Sequence, residues 1–286
     1  MLTKSLVAKK RIFYVVIGIV IGVFLVFVLF PYYWMLITAL KPKSDLFLSP
    51  PDLFPKRIVL SNIIEPWKLF PVFTYMKNSI YISTITILLN VFFGSMAAYG
   101  LNQPRFKTSS KYVMTFLLIT QLLPGMATLV PFYFWMTQLN MLNTYIGLIL
   151  PYLAWTLPFT ILMLRAYFKS AYPKELEEAA RIDGCSRMAI FWKIVIPLSA
   201  PGLIAAGANA FMLSWKEFIW ASIMLTSGSK KPISIGMRDM IGQGGGVTYI
   251  QEFMAVAILA VVPAFVLFFF TQKYIAGGIT AGAVKS

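Results

Sequence analysis

The sequence contains no histidine and a single cysteine, Cys185. Disulfides within the chain are thereby excluded, and so are a histidine general base and any zinc cluster built from Cys and His. Charge is scarce too. Asp, Glu, Lys and Arg make up 12% of the 286 residues, about half the share found in soluble domains. Acids are the rarer sign, 10 against 25 Lys and Arg, leaving a net charge of +15. Such an excess can mark nucleic-acid binding. Here the basic residues flank apolar runs instead, as the positive-inside bias and anionic lipid head groups distribute them, so no nucleic acid partner is expected. A phosphate cradle is absent as well. The glycine cluster Gly242-Gln243-Gly244-Gly245-Gly246 leads into Val247 and Thr248, where a P-loop needs Lys and Ser/Thr opening a helix. It reads as a flexible loop. Cys185 reads as a packing residue.

What is present is grease. Hydrophobic residues account for 59% of the chain, above the 45–50% or so of soluble domains, and they fall into runs long enough to cross a bilayer. The fold class expected is an all-α membrane protein with six transmembrane helices in one domain, residues 12–272, between a short N-terminal segment, 1–11, and a tail, 273–286. The first run, Ile12 to Leu40, exceeds the length of a signal-peptide core and ends in the interfacial aromatics Tyr32, Tyr33 and Trp34. A Pro-rich segment, 41–77, follows and is expected outside with a little local helix. Span two runs from about Asn78 to Leu101, span three from Tyr112 to about Tyr133 and span four from about Leu142 to Leu164. Span five extends from Pro201 to about Leu225, and span six from Phe253 to about Phe270. Pro124 predicts a kink in span three, and Pro151 with Pro158 predicts a bent span four with unwound backbone.

The long polar stretch inside the C-terminal half is Tyr172 to Gly184, running on to Pro197. Pro173 suits a first helical turn, and Glu175, Glu177 and Glu178 lie near the positive end of the helix dipole. Leu176, Ala179, Ala180 and Asp183 form a narrow stripe whose small residues let another protein approach closely. Gly184 can adopt the left-handed conformation that ends a helix. A second amphipathic stretch, Ser186 to Ile196, completes a helix–elbow–helix between two spans.

Those residues carry a resemblance. Glu178-Ala179-Ala180, three residues, Gly184, nine residues, then Ile194-x-x-Pro197 resembles the EAA loop of the MetI-like, binding-protein-dependent ABC importer permeases. Ile196 stands where that family usually has Leu. The wording from Glu175 to Gly184 and the ending Gly278-Ile279-Thr280-Ala281-Gly282-Ala283-Val284-Lys285 resemble the carbohydrate-uptake branch, the maltose-type permeases. The resemblance implies a permease subunit in a bacterial cell (inner) membrane, multi-pass, with both termini cytoplasmic. It implies a second homologous permease, two cytoplasmic ATPases and an extracellular or periplasmic solute-binding protein as partners. Glu178, Ala179, Ala180, Asp183, Gly184 and Pro197 would form the ATPase-coupling loop. ATP and Mg would be held by the partner ATPase, with no cofactor or metal on this chain. A sugar or oligosaccharide is the substrate class implied, with a polyol or a glycerophosphodiester as the alternative.

Inside the spans the most unusual residues are Lys216 and Glu217, since ionisable groups at membrane depth are costly and mark functional sites. Either one of them pairs with another span or with the companion permease, or one of them, with Trp215 and Asn209, lines the permeation path. Gln121, Tyr152 and Trp155 are further path candidates. A secondary carrier would need more intramembrane acids than Glu217 alone and shows inverted repeats in many cases. An intramembrane enzyme would need His or paired carboxylates at depth.

Loop charge sets an expected orientation. Residues 102–111 hold Arg105, Lys107 and Lys111 without an acid, and 165–200 hold six Lys/Arg against four acids, so both are expected in the cytoplasm, with 273–286, and 134–141 and 226–252 outside. Single-cysteine labelling with an impermeant reagent in a Cys185→Ser background should modify position 245 and spare position 108. Rapid labelling at 108 with none at 245 would reverse the orientation.

Overall fold

The computed structural model describes residues 2–243 and 248–283. Gly244 to Gly246 of the glycine cluster, and Val284 to Ser286 of the tail, lie outside the described residues. No strand occurs among the described residues. In chain order the helices are α1 (Leu2–Leu40), α2 (Ser61–Ile64), α3 (Pro66–Leu69), α4 (Val72–Asn102), α5 (Lys107–Leu122), α6 (Leu129–Gln138) and α7 (Tyr145–Ala171). They continue with α8 (Lys174–Ile182), α9 (Arg187–Ile190), α10 (Ile196–Leu198), α11 (Ala200–Trp215), α12 (Ile219–Met224), α13 (Ile233–Gln243) and α14 (Ile250–Ala283). Among the described residues, four helices are long and apolar enough to cross a membrane, or up to six spans when each of two bent pairs counts as one.

The chain divides into two compact units. The first comprises Met1–Pro71 and Asp239–Leu259. Its long α1 is exposed over its most apolar stretch, so this helix depends on lipid or another subunit for cover. It is tied down near its end. Asn62 Nδ2 donates to the Ala39 and Lys41 carbonyls at 3.0 Å each, and Gln251 Nε2 donates to Lys41 O at 3.2 Å. The buried Glu252 pairs with Lys43 at 3.5 Å.

The second unit, Val72–Arg238 and Ala260–Ser286, is a bundle in which α4 packs on α7 and on α11. Its chemistry is inverted relative to a soluble helix. Ser79, Ser83, Thr86, Asn90 and Gly94 recur three or four residues apart along α4 and are buried, while Ile80, Leu88, Phe92 and Phe93 face out. Lipid tails are as apolar as Leu, so helices in a membrane gain by bringing small and hydroxyl residues together. Gly94 marks the closest approach. A Cβ there would lie 2.5 Å from Thr160 Cγ2 on α7.

Three sequence expectations are corrected. Span four is not unwound: α7 runs unbroken through Pro151 and Pro158, the turns on either side holding the helix despite the hydrogen bond each proline lacks and the crowding of its ring. Span three is more than kinked: Pro124 separates α5 from a 3₁₀ turn, Gly125–Thr128, and α6, and the two arms meet at 97°. Span five is not one helix. The 16-residue α11 stops at Trp215, reaching about 24 Å where the hydrocarbon core needs about 30 Å, and α12 restarts only at Ile219. The outer segments are also more helical than expected, with α13 inside 226–252 and α14 continuing past Phe270 to Ala283.

The contact at Gly94 supports a prediction. Gly94→Leu would force α4 and α7 apart, at a cost of about 1–3 kcal/mol, and should lower the melting temperature of the purified protein. Gly100→Leu is the control, since a Cβ at Gly100 meets nothing within 4 Å. Equal melting temperatures for the two variants would contradict the packing described.

Candidate functional site

The polar elbow folds much as its sequence dictates. Pro173 sits one position earlier than expected, as the N-cap with ψ 142°, and α8 begins at Lys174. Gly184 takes φ +81°, and the backbone amides of Asp183, Gly184 and Cys185 return to the Ala179, Arg181 and Ala180 carbonyls at 2.9–3.1 Å. Ser186 Oγ then caps α9 by accepting from Ala189 N at 3.2 Å. The second amphipathic stretch is α9, a π turn over Phe191–Val195 and α10, which carries the exposed Pro197. This arm meets α11 at 78°.

The stripe on α8 is split. Ala180 is buried in a cluster with Ala98, Leu164, Phe168, Tyr172, Ile190 and Phe191, so the surface it admits is the chain's own. Ala179, Glu178 and Asp183 face outward with Leu176 and with Ile182, which is 86% exposed. Ile182 was not anticipated, although an isoleucine three residues beyond Ala179 continues the outward stripe. Cys185 is exposed rather than packed. Glu177 turns inward: the Tyr172 hydroxyl donates to its Oε2, and the Tyr99 hydroxyl of α4 lies 3.5 Å from its Oε1. Burial, and after it the Glu177 carboxylate, push the Tyr172 phenol well above its ordinary range. The elbow is thus fixed to α4 and α7 by its own carboxylate.

The second candidate region is the break between α11 and α12. Lys216 caps the end of α11, and Glu217 reaches forward to α12. Its Oε1 accepts from Trp220 N at 2.9 Å, and its Oε2 accepts from Ala221 N at 3.1 Å and from Tyr152 Oη of α7 at 2.6 Å. A carboxylate placed this way satisfies donors that the restart of a helix leaves unpaired. Ser234 Oγ donates to the Glu217 carbonyl at 2.8 Å. The partner expected on another span is therefore a neutral hydroxyl. Lys216 is in no ion pair among the described residues, and its side chain is exposed.

Beside the break is a cavity of about 360 Å³ lined by Met126, Tyr152, Trp155, Thr156, Lys216, Glu217, Phe218 and Trp220, among others. That volume is at the small end of the range for ligand sites. Trp155 lies against the 3₁₀ turn, where a Cβ on Gly125 would come within 2.4 Å of its ring. The structure brings together Tyr152, Trp155, Lys216 and Glu217 of the sequence candidates. It separates the others. Trp215 stacks on Phe211 and donates from Nε1 to Ala260 O at 3.0 Å, a packing role between helices. Asn209 is half-buried further back along α11, and Gln121 is exposed near the end of α5. Trp220 and Thr156 were not anticipated. The spacing from Glu217 to Trp220 was the available signal, an acid three residues ahead of an apolar helical run.

The profile of the binding-protein-dependent transport system inner membrane components matches residues 90–280. The chain belongs to this family. It is the permease subunit of an ABC importer, a multi-pass membrane component that carries out transport and no catalysis. Among its relatives, the trehalose/maltose transport system permease protein of Thermococcus litoralis is 32% identical over 280 residues, covering 96% of this chain and 97% of that one. The diacetylchitobiose uptake system permease protein of Streptomyces coelicolor is 31% identical over 259 residues, covering 90% and 91%. The crystal structure of a bacterial ABC transporter involved in import of the acidic polysaccharide alginate matches with a TM-score of 0.79 at 23% identity, covering 93% of the permease and 97% of that chain. At that identity the match shows the fold.

The elbow generates a prediction of its own. A valine at position 184 is strained in the left-handed region by about 1–2 kcal/mol, so trypsin should cut Gly184→Val faster at Arg181 in the purified protein. The melting temperature of the spans should stay within a degree or two of wild type, about the size of a minor surface effect. Unchanged cleavage would mean that the elbow does not need the glycine conformation.

Proposed function

We propose that this permease moves a sugar or oligosaccharide into the cell by alternating access, driven by ATP hydrolysis on a partner chain. The observation that carries the substrate class is the cavity at the α11–α12 break, where two indoles, Trp155 and Trp220, stand beside hydroxyl and charged groups. Indole faces offer apolar area to sugar rings, and the polar groups fix orientation. The sugar-transport names of the relatives support the same class. A polyol or a glycerophosphodiester is the alternative.

The outward face of α8 is the surface offered to the ATPase. Leu176, Ala179, Ile182 and Asp183 present a small apolar ridge with acids at its margin, and Pro197 lies exposed on the returning arm. Closure of an ATPase dimer, holding ATP and Mg, would push this ridge. The Tyr172–Glu177 and Tyr99–Glu177 contacts would pass the displacement to α7 and α4. The companions are a second homologous permease, two cytoplasmic ATPases and an external solute-binding protein, and the Lys/Arg-rich loops support an orientation with both termini and the elbow in the cytoplasm.

Purification in mild detergent, with identification of co-eluting subunits, tests the assembly. Binding of a sugar and polyol panel to the cognate solute-binding protein tests the substrate class. Ala179→Glu should weaken retention of the ATPase about 10-fold or more, as a charge inserted at a packed contact does. Gly184→Val should retain the ATPase but lose stimulation of ATP hydrolysis by loaded binding protein. Wild-type retention and stimulation in both variants would show that the elbow is not the coupling element.

A further inference from the structure

We propose that the cavity at the α11–α12 break selects an anionic saccharide, one whose ring carries a carboxylate, and that Lys216 is the residue that recognises it. This rests on reading the permease as a sugar transporter and goes beyond it by naming the charge of the cargo.

Adjacent Lys and Glu in a cavity wall would ordinarily cancel, yet these two side chains do not meet. Glu217 is engaged by Trp220 N, Ala221 N and the Tyr152 hydroxyl at 2.6–3.1 Å. The carboxylate is thus held by the fold, facing the restarted helix and α7. Lys216 leaves the backbone at the end of α11, where the C-terminal dipole favours a cation. It lines the cavity with no ion-pair partner among the described residues. A second cation borders the same wall: the Arg238 guanidinium lies 5.7 Å from the centre of the Phe218 ring, and Phe218 lines the cavity. The wall therefore presents one ammonium with no ion-pair partner among the described residues, beside a carboxylate that three neutral donors hold in place.

A charge at membrane depth is costly unless something pairs with it. A neutral hexose closed into this cavity would displace water from the ammonium and return only hydroxyl contacts. A uronate ring would return a charge-assisted hydrogen bond. Its apolar face would be served by Trp155, which is 47% exposed, as for any hexose. Sites built to bond a particular polar group reject the analogue that lacks it, because their own group is then left unpaired. The asymmetry favours the acid.

The experiment uses the complete importer complex in lipid nanodiscs and matched pairs of monosaccharides that differ at one carbon: galacturonate with galactose, glucuronate with glucose, and mannuronate with mannose. Binding to wild type, Lys216→Met and Lys216→Arg is read from quenching of tryptophan fluorescence. At least one uronate should bind wild type about 10-fold or more tightly than its neutral partner, the scale of a hydrogen bond to a charged group. Lys216→Met should abolish that preference, and Lys216→Arg should restore it. Equal or tighter binding of every neutral sugar would overturn the proposal and leave the sugar-permease reading standing. A preference that survives in Lys216→Met would overturn the role of Lys216, and so would binding of neither member of any pair. Loss of the companion permease from the Lys216→Met complex would overturn it as well, by assigning the ammonium to the subunit interface.

Discussion

A helix that stops inside a membrane leaves amides and carbonyls that lipid cannot satisfy, at a cost of several kcal/mol each. The fifth span of this permease stops at Trp215, and Glu217 is the repair. One carboxylate accepts from two amides of the restarted helix and from a tyrosine on α7. This fixes the direction of α12, the position of Trp220 against Phe132 of α6 and the wall of the cavity. That contact acts together with the burial of Trp220, Ala221 and Met224, since six residues are too few to hold a helix by themselves. Lys216, whose amide still bonds Met212 O at 3.4 Å, ends α11 with its side chain exposed beside the cavity.

Two buried clusters lie along the same helices. One gathers Ile82 of α4, Leu148, Ile149 and Tyr152 of α7, and Trp220, Ala221 and Met224 of α12. The other gathers Ala98 of α4, Leu164 and Phe168 of α7, Ala206 of α11 and Ala180 of the elbow. Both clusters draw on α4 and α7, which pack closely at Gly94. A packed core is bistable rather than pliable. Motion of the elbow would therefore reach the cavity through a pair of helices moving together.

Much of this was legible in the sequence, and the reason is physical. The elbow obeys the rules of water-exposed helices: a proline at the start, acids in the first turn and a glycine that needs positive φ. Local chemistry decided it. Hydropathy placed the spans, because bilayer thickness fixes their length. The breaks were hidden, since an apolar residue looks the same in a straight helix, a 3₁₀ turn or a short restart. Pro124 was a partial signal for one break and proved larger than a kink. Pro151 and Pro158 were misleading in the opposite direction. The contacts of Trp215 and Ala180 were hidden because their partners, Ala260 and the Tyr172–Phe191 cluster, are distant or across a turn in sequence. Glu217 was found as an unusual charge. Its partners could be known only from the fold.

The central claim is that Glu217 is a fixed structural carboxylate, bonded to Tyr152, and is not a second ligand in the cavity. A double-mutant cycle on the melting of the purified complex, with Glu217→Gln, Tyr152→Phe and both together, tests it most directly. The account predicts that each single change destabilises and that the double change falls short of their sum by about 1 kcal/mol or more. Effects that add to within about 0.3–0.5 kcal/mol would contradict it, because they would show that the two side chains do not hold each other.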